Sequence, residues 1–308
     1  MRNLKKVLLA MLFVVGAVFL APKDAKAATT VQMTKTGRNS LTIEWQVPNV
    51  NNIVGYYVKD TSSGKYVFSA EGNYRGVEFT KLSPGFVSRF EVYYVYNNGN
   101  GNVERYLGST YVNTTPADIS TKNFGLSNVS SGGVDFIVYK PTNATKVELE
   151  VYNAKNKRVS KQTMYKYSNR VKLSKGMAYK YRVRAYYTND STKKTYYGNW
   201  SNYRYFGYTN ATIKSAKKSL KVSIKKGTGI SSYTVYVSTK KNSGFKKVKT
   251  FKVGKKSKYS TTIKKYGKKK IKGGSSYYVK IVPKVKFGSK TYSSDMVAQS
   301  SAIYVRRY

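Results

Sequence analysis

The sequence predicts an all-β protein in which three tandem β-sandwiches follow an N-terminal signal peptide. Three observations support this fold class. Apolar residues alternate with polar ones in runs of about 4 to 8 residues, which is the period of half-buried strands. A spaced set of glycine, aromatic and β-branched residues occurs three times along the chain. No window has the long apolar stripe, repeating about every 3.6 residues, that an amphipathic helix needs.

The first 27 residues have the three parts of a secretory signal peptide. Basic residues such as Lys5 and Lys6 come first, residues 7–20 are a run of fourteen apolar residues, and residues 25–27 are Ala-Lys-Ala. A membrane-spanning helix needs about 20 apolar residues. We therefore expect residues 1–27 to be cleaved, leaving a secreted, extracellular protein with no integral membrane segment.

A repeated spacing defines the three sandwiches. Segments that start at Leu82, Leu173 and Ile271 each have glycine three positions later, a large apolar or aromatic residue eight positions later and a β-branched residue ten positions later. These residues are Gly85, Phe90 and Val92, then Gly176, Tyr181 and Val183, then Gly274, Val279 and Ile281. The segments start 91 and 98 residues apart, which is a domain length and not a solenoid period.

The predicted domains are residues 28–115, 116–210 and 211–308, referred to below as the first, second and third repeats. Each contains an early alternating run, LTIEW, VDFIV or LKVSI in order, followed by a second run, GYYVKD, VELEVY or YTVYVS. About seven such strands in roughly 90 residues is the number found in a β-sandwich.

Several of these residues resemble fibronectin type III domains, which are immunoglobulin-like sandwiches. They are Trp45 followed by Pro48, Leu-x-Pro-Gly at residues 82–85, and a branched apolar residue with x-x-Gly-x-x-Tyr at residues 173–179 and 271–277. The segments YRVRAYY and YGNWS are similar to tandem repeats of secreted Gram-positive proteins. The resemblance implies a fibronectin type III-like fold in each repeat and a role as spacer, adhesion module or accessory to an enzyme.

The resemblance also implies a corner tyrosine whose hydroxyl bonds to upstream backbone, at Tyr179 and Tyr277. Ser88 takes this position in the first repeat. The early-strand tryptophan of the family is present as Trp45 only, and Val138 and Ile224 replace it in the other repeats. We expect these replacements to be accommodated by repacked cores.

The composition excludes much of enzyme chemistry. The chain has no His and no Cys, which removes the common nucleophile pairs, the usual zinc ligands and any disulfide framework. Glu148 and Glu150 form the best carboxylate pair, because alternate residues of a strand share a face. Beside Lys146 they are more typical of surface charge. We expect no enzyme activity, no cofactor and no metal.

An aromatic hairpin in the second repeat is the first candidate binding site. Alternation places Tyr179, Tyr181, Val183 and Ala185 in the core and the intervening residues on the opposite face. The predicted site residues are Arg182, Arg184, Tyr186, Tyr197, Trp200 and Tyr203, with Tyr205 beside them. The tryptophan, expected on the next strand, would lie over one of the two guanidinium groups. The segment is either a stabilised hairpin only or a surface for a glycan or another protein.

Charge in the third repeat is the second candidate feature. The whole chain carries +44, and residues 211–308 contain 27 basic residues and one acidic residue, against 8 and 6 in residues 28–115 and 17 and 5 in residues 116–210. Such self-repulsion is relieved by a polyanion, although a solvated, solubilising surface is the simpler alternative. The predicted polyanion-binding residues are Lys246, Lys247, Lys249, Lys255, Lys256, Lys264, Lys265, Lys268, Lys269 and Lys270.

Of the 27 basic residues, 25 are lysines, which offer point charges and not the guanidinium forks used in base readout. Sequence-specific nucleic-acid binding is therefore not expected. The predicted partners are anionic cell-wall polymers or other extracellular polyanions such as DNA and lipid headgroups. The predicted function is a secreted, non-enzymatic surface scaffold or adhesion protein held to the cell envelope non-covalently. The alternative is a carbohydrate-binding protein that uses the aromatic residues of the second repeat.

Overall fold

The protein is almost entirely β. The computed structural model describes residues 17–19, 31–72, 74–130, 133–165, 167–190, 192–295 and 298–306. Among these residues the only helical element is a single 3-10 turn, Thr121–Asn123. The predicted all-β class is confirmed.

Strands β1 to β8 form the first pair of sheets. Their bounds are Ala17–Phe19, Val31–Thr36, Leu41–Trp45, Ile53–Asp60, Lys65–Glu71, Gly76–Phe79, Val87–Asn97 and Asn102–Asn113. One sheet has the order β1-β6-β3-β2 and the other β5-β4-β7-β8. Because alternate residues face inward, Ile43, Val58 and Val92 meet in one core and are fully buried.

The predicted signal peptide contributes only β1 to the described structure. This strand pairs with β6 in antiparallel register. The rest of residues 1–27 lies outside the described residues, so signal cleavage stays a prediction.

Strands β9 to β16 form the second pair of sheets. Their bounds are Phe124–Ser130, Gly133–Val138, Lys146–Asn153, Arg158–Met164, Ser168–Val171, Met177–Thr188, Thr195–Tyr197 and Arg204–Tyr208. The orders are β13-β10-β9 and β12-β11-β14-β15. Strand β14 pairs with β16 near its start and with β15 at its end. The last strand of this sandwich is therefore interrupted by the segment that contains Trp200.

Strands β17 to β27 form the third group of sheets. Their bounds are Ala211–Ala216, Ser219–Lys225, Ile230–Ser238, Lys246–Lys252, Lys258–Ile263, Lys265–Tyr266, Lys269–Lys270, Ser275–Phe287, Lys290–Ser293, Ala298–Gln299 and Ile303–Val305. A three-stranded sheet has the order β17-β18-β21, and a larger sheet has the order β20-β19-β24-β25 with β26 and β27 also on β24. Strands β22 and β23 form a separate small hairpin.

The repeated glycine has the same backbone conformation in all three repeats. The φ angles of Gly85, Gly176 and Gly274 are 77°, 79° and 79°. These values lie in the left-handed region, where a Cβ is unfavourable. Six larger residues define the rest of the spacing, and all six are buried: Phe90, Val92, Tyr181, Val183, Val279 and Ile281. The repeat therefore marks one structural turn followed by a core strand.

The two predicted corner tyrosines bond to upstream backbone. The Tyr179 hydroxyl accepts from the Ser174 N–H and donates to its carbonyl, both at 3.0 Å, and the Tyr277 hydroxyl accepts from the Lys272 N–H at 2.8 Å. In the first repeat, the hydroxyl of Ser88 instead donates to Asp60, itself buried. Ser88 thus forms its hydrogen bond with a side chain, whereas the two corner tyrosines form theirs with the backbone.

The chain forms two compact units. The first comprises residues 1–118, 140–146 and 184–199, and the second comprises residues 119–139, 147–183 and 200–308. The second unit thus contains the third repeat and much of the second. The predicted domain boundaries stay predictions.

Within the second unit, second-repeat residues pack against the third repeat. Ala178 belongs to the buried core of the third repeat, and the rings of Tyr205 and Tyr292 stack with centroids 3.7 Å apart. A Cβ at Gly207 would lie 2.9 Å from a side-chain carbon of Pro283, so this backbone approach needs glycine. These contacts hold second-repeat residues directly against the third repeat.

Candidate functional site: a basic surface on the third repeat

All ten predicted polyanion-binding lysines are exposed. Three lie on β20, namely Lys246, Lys247 and Lys249, while Lys255 and Lys256 lie in the loop that leads to β21. The other five lie on or beside the β22–β23 hairpin: Lys264, Lys265, Lys268, Lys269 and Lys270. The predicted residues are thus spread over three local regions, and exposure alone does not make them one site.

A concavity of about 390 Å³ brings part of this set together. Lys246, Lys268 and Lys269 line it, joined by Lys240, which the sequence reasoning did not single out. Ser238, Ser243 and Tyr266 supply hydroxyl groups in the same lining. We call this the turn concavity.

A second concavity, of about 590 Å³, lies on the three-stranded sheet β17-β18-β21. Its lining includes three lysines and several hydroxyl side chains: Lys214, Lys221, Lys258, Thr212, Ser223, Ser260 and Thr262. We call it the sheet concavity. Sequence reasoning missed it because the lysines are spread along the chain and form no run. The alternation of Lys and Ser in LKVSIK and of Lys, Ser and Thr in KYSTT was the available signal, because alternate residues share a face.

Asp295, the one acidic residue of the third repeat, is bonded to second-repeat residues within the second unit. Its carboxylate accepts from Arg204 Nε at 2.9 Å and from the hydroxyl of the buried Tyr181 at 3.0 Å. Its backbone N–H donates to the carbonyl of Tyr205 at 2.8 Å. The hydrogen bond to Asp295 raises the pKa of Arg204, and burial, followed by the nearby carboxylate, raises the pKa of Tyr181. This acid therefore serves a junction and is paired with an arginine from the second repeat.

The six residues of the predicted aromatic site fall in different compact units. Arg184, Tyr186 and Tyr197 belong to the first unit, and Arg182, Trp200 and Tyr203 belong to the second. In the first group, the Arg184 guanidinium lies 4.0 Å from the Tyr197 ring centroid, and Tyr186 packs against Tyr197 with centroids 5.4 Å apart.

In the second group, the Arg182 guanidinium lies 4.3 Å from the Trp200 ring centroid and 5.2 Å from that of Tyr203. The predicted cation-π contact with Trp200 is confirmed. The predicted position of Trp200 on a strand is wrong, because this residue lies between β15 and β16. Lys180 covers Tyr203 at 4.4 Å. Both aromatic rings thus already have a cation from the chain itself.

The interpretation of Glu148 and Glu150 as surface charge is wrong, because both are buried. Glu150 accepts from Arg158 at 2.8 Å, from Arg182 at 2.8 Å and from the Tyr152 hydroxyl at 2.7 Å. Burial pushes the pKa of Glu150 up, but these hydrogen bonds outweigh it and leave the pKa below its ordinary value.

Residues on neighbouring strands cover and pair with Glu148 and Glu150, which explains why both are buried. Strand β12 places Lys161 opposite Glu150, and Lys161 Nζ forms an ion pair with Glu148 at 2.6 Å. Local sequence could not reveal these partners. An ionised, three-fold bonded carboxylate is poorly suited to donate a proton, so this pair has the properties of a structural network.

Sequence reasoning also missed a ladder of four tyrosines on β5-β4-β7-β8. Tyr57 and Tyr93 stack with centroids 5.0 Å apart, and Tyr66 and Tyr106 pack edge-on against them. The outer two rings, Tyr66 and Tyr106, are 43% and 52% exposed. Burial and a hydrogen bond to Glu91 raise the pKa of Tyr93 to about 12. The tyrosines in YYVKD and VYYVY were the available signal.

Over the described part of the chain, no group of three or more acidic side chains could hold a metal ion. No helix in that part is long and apolar enough to cross a membrane.

No protein-family model and no curated protein matches the chain. Among solved structures, it is similar to the FN1–FN3 domains of chicken CNTN1, with 13% identity, coverage of 89% of this chain and 97% of that one, and a TM-score of 0.27. It is also similar to a two-domain fibronectin type III segment of chicken tenascin, with 12% identity, coverage of 57% and 97%, and a TM-score of 0.32. At these identities and TM-scores the likeness supports no conclusion about this chain. The sandwich architecture itself follows from the sheet orders described above.

Proposed function

We propose that the protein is a secreted, non-enzymatic scaffold that binds an extracellular polyanion, such as an anionic cell-wall polymer, through its third repeat. One observation carries the proposal. The third repeat has 27 basic residues and one acidic residue, and that acidic residue, Asp295, is paired with Arg204. Its positive surface therefore has no acidic residue of its own left to offset it.

Cross-strand pairs within the third repeat support the proposal. Lys214 faces Lys221, Lys225 faces Lys258, and Lys265 faces Lys270. Like charges directly opposite one another destabilise a sheet. A surface that only kept the protein soluble would not need such pairs, whereas a bound polyanion would offset their repulsion.

Carbohydrate recognition is the second candidate function, and the tyrosine ladder of the first repeat favours it. Aromatic faces can stack on sugar rings while their hydroxyls remain polar, and the outer rings Tyr66 and Tyr106 are exposed. The second-repeat residues are weaker candidates, because Arg182 and Lys180 already cover the rings of Trp200 and Tyr203.

The test is binding of residues 28–308 to immobilised poly(glycerol phosphate), with uncharged dextran as control. We expect binding to the phosphate polymer only, and a loss of at least about tenfold in affinity between about 50 and about 200 mM salt, because binding releases counterions. Binding that is equal on both polymers and unaffected by salt would contradict the proposal. The test uses all three repeats together, because removing the third repeat would expose Ala178 and leave Arg204 without Asp295.

A further inference from the structure

We infer that the sheet concavity is the principal anion site and that its ligand is a single-chain phosphodiester polymer. The inference rests on the proposed polyanion-binding function and deepens it by naming the site and the ligand class. The turn concavity, which contains three of the predicted lysines, is the competing location.

The strand register arranges the sheet concavity in three rows. The middle row consists of hydroxyl residues, Thr212 on β17, Ser223 on β18 and Ser260 on β21. One flanking row has Lys214, Lys221 and Thr262, and the other has Lys225 opposite Lys258. Neighbouring rows are about 7 Å apart along the strands. Lysine side chains from both flanks can therefore reach an anion placed over the hydroxyl row.

The burial pattern confirms that these rows share the outer face. On β18, Lys221 and Lys225 are exposed while Leu220, Val222 and Ile224 between and beside them are buried. The inward residues thus hold the strand against the core, and the outward residues are presented together. Within the described part of the chain, none of the residues that line the concavity is acidic.

Two like-charged pairs on this one face need explanation. Lys214 faces Lys221, and Lys225 faces Lys258, with only hydroxyl residues between the pairs. Each pair carries an electrostatic cost when the face is empty. An anion above the hydroxyl row would be attracted by all four lysine ammonium groups, and this attraction would offset the repulsion between them. The arrangement therefore favours the anion-bound state.

The chemistry of the lining favours phosphate. Lysine ammonium groups and hydroxyls donate hydrogen bonds without requiring a planar partner, and lysine binds phosphate as a point charge. Among the residues that the structure describes, no arginine lines the concavity, so the planar bidentate geometry that suits carboxylates is not offered there. The same described lining has no aromatic ring and so offers no stacking platform for single-stranded bases.

The dimensions favour a single chain. The three strands span about 10 Å, since neighbouring strands are about 4.8 Å apart, and the concavity has a volume of about 590 Å³. A linear polyol phosphate can lie along the hydroxyl row and place its charges inside. A nucleic-acid duplex is broader than this three-stranded face, so only part of its width would lie over the three rows.

The test compares three variants for binding soluble poly(glycerol phosphate) by calorimetry. The site variant is K214Q/K221Q/K258Q, and the charge-matched control is K246Q/K268Q/K269Q in the turn concavity. We expect the site variant to lose about tenfold or more in affinity and to lower the slope of log affinity against log salt by about 2, at about 0.7 per phosphate contact. We expect the control to lose less than about threefold.

The third variant, S223A/S260A, keeps the net charge. It should lose about three- to tenfold in affinity, because two hydrogen bonds are removed, while the salt slope stays unchanged. Thermal unfolding should show the site variant to be at least as stable as the unaltered protein, since repulsion between Lys214 and Lys221 is relieved. A loss of binding would then not come from misfolding.

The outcomes separate the two proposals. If the unaltered protein does not bind the phosphate polymer, the proposed function fails. If it binds with the expected salt dependence but the site variant and the control lose affinity equally, the function stands and the sheet concavity is refuted. Equal or tighter binding to duplex DNA or to hyaluronate would overturn the assignment of a single-chain phosphate ligand.

Discussion

Replacing Asp295 with alanine should destabilise the second unit by about 3 kcal/mol. The change removes the acceptor for the buried Tyr181 hydroxyl, and an unsatisfied buried hydroxyl costs about 1–3 kcal/mol. It also removes the ion pair with Arg204, whose two side chains are 28% and 24% exposed. At that exposure the pair contributes about 1 kcal/mol. D295N retains an acceptor for Tyr181 and should therefore cost only about 1 kcal/mol.

The matched control is D135A in the same unit. Asp135 pairs with Arg170 at 3.1 Å, and that arginine side chain is 42% exposed, so we expect a cost of no more than about 1 kcal/mol. Both alanine variants raise the net charge by the same amount, which cancels much of any general repulsion effect.

The assay is urea unfolding followed by tryptophan fluorescence. Trp45 lies in the first unit and Trp200 in the second, so a W45F background shared by all variants makes fluorescence report on the second unit. The expected order of stability loss is D295A, then D295N, then D135A. A D295A midpoint no lower than that of D135A would refute the reasoning that this acid stabilises the junction.

Three further changes test the rest of the structure. E150Q should lower the free energy of unfolding by about 2 kcal/mol at neutral pH. Because the pKa of Glu150 is lowered in the folded protein, the ionised carboxylate stabilises the fold above its ordinary pKa of 4.5, and this stabilisation is lost as the pH falls below that value. A gap between E150Q and the unaltered protein that does not narrow in acid would argue against the network. W200A should cost about 1–2 kcal/mol through the lost contact with Arg182, and should leave salt-sensitive polymer binding intact. Its stability is measured by urea unfolding followed by circular dichroism, because this variant lacks the second unit's tryptophan. Loss of binding at unchanged stability would make the aromatic hairpin a candidate binding site again. Y277F should cost about 1 kcal/mol in thermal unfolding because the Lys272 N–H loses its partner, and an unchanged midpoint would show that water replaces it.

Features encoded by local spacing could be predicted from the sequence. The turn glycines, such as Gly176, and the buried strand residues after them follow from conformational preference and from the two-residue period of a strand. The corner tyrosines Tyr179 and Tyr277 were implied by resemblance, and their backbone bonds span only five residues.

Features that depend on distant strands could not be predicted. The burial of Glu150 depends on Arg182, 32 positions away, and the role of Asp295 depends on Arg204, 91 positions away. Likewise, the sheet concavity needs Lys214 and Lys258 in register with β18. Residue spacing within one strand gives the face of a side chain, but the choice of neighbouring strand gives its partners.

The tight packing of Gly207 against Pro283 and of Tyr205 against Tyr292 has a consequence for orientation. Because the second unit holds these contacts without a flexible spacer, the β17-β18-β21 face keeps a set direction relative to the second-repeat strands packed with it. Adsorption through that face would therefore tilt those strands at one defined angle to the underlying surface. The second unit would then be held in one orientation, and this angle, as much as the strength of attachment, would decide which of its surfaces points outward.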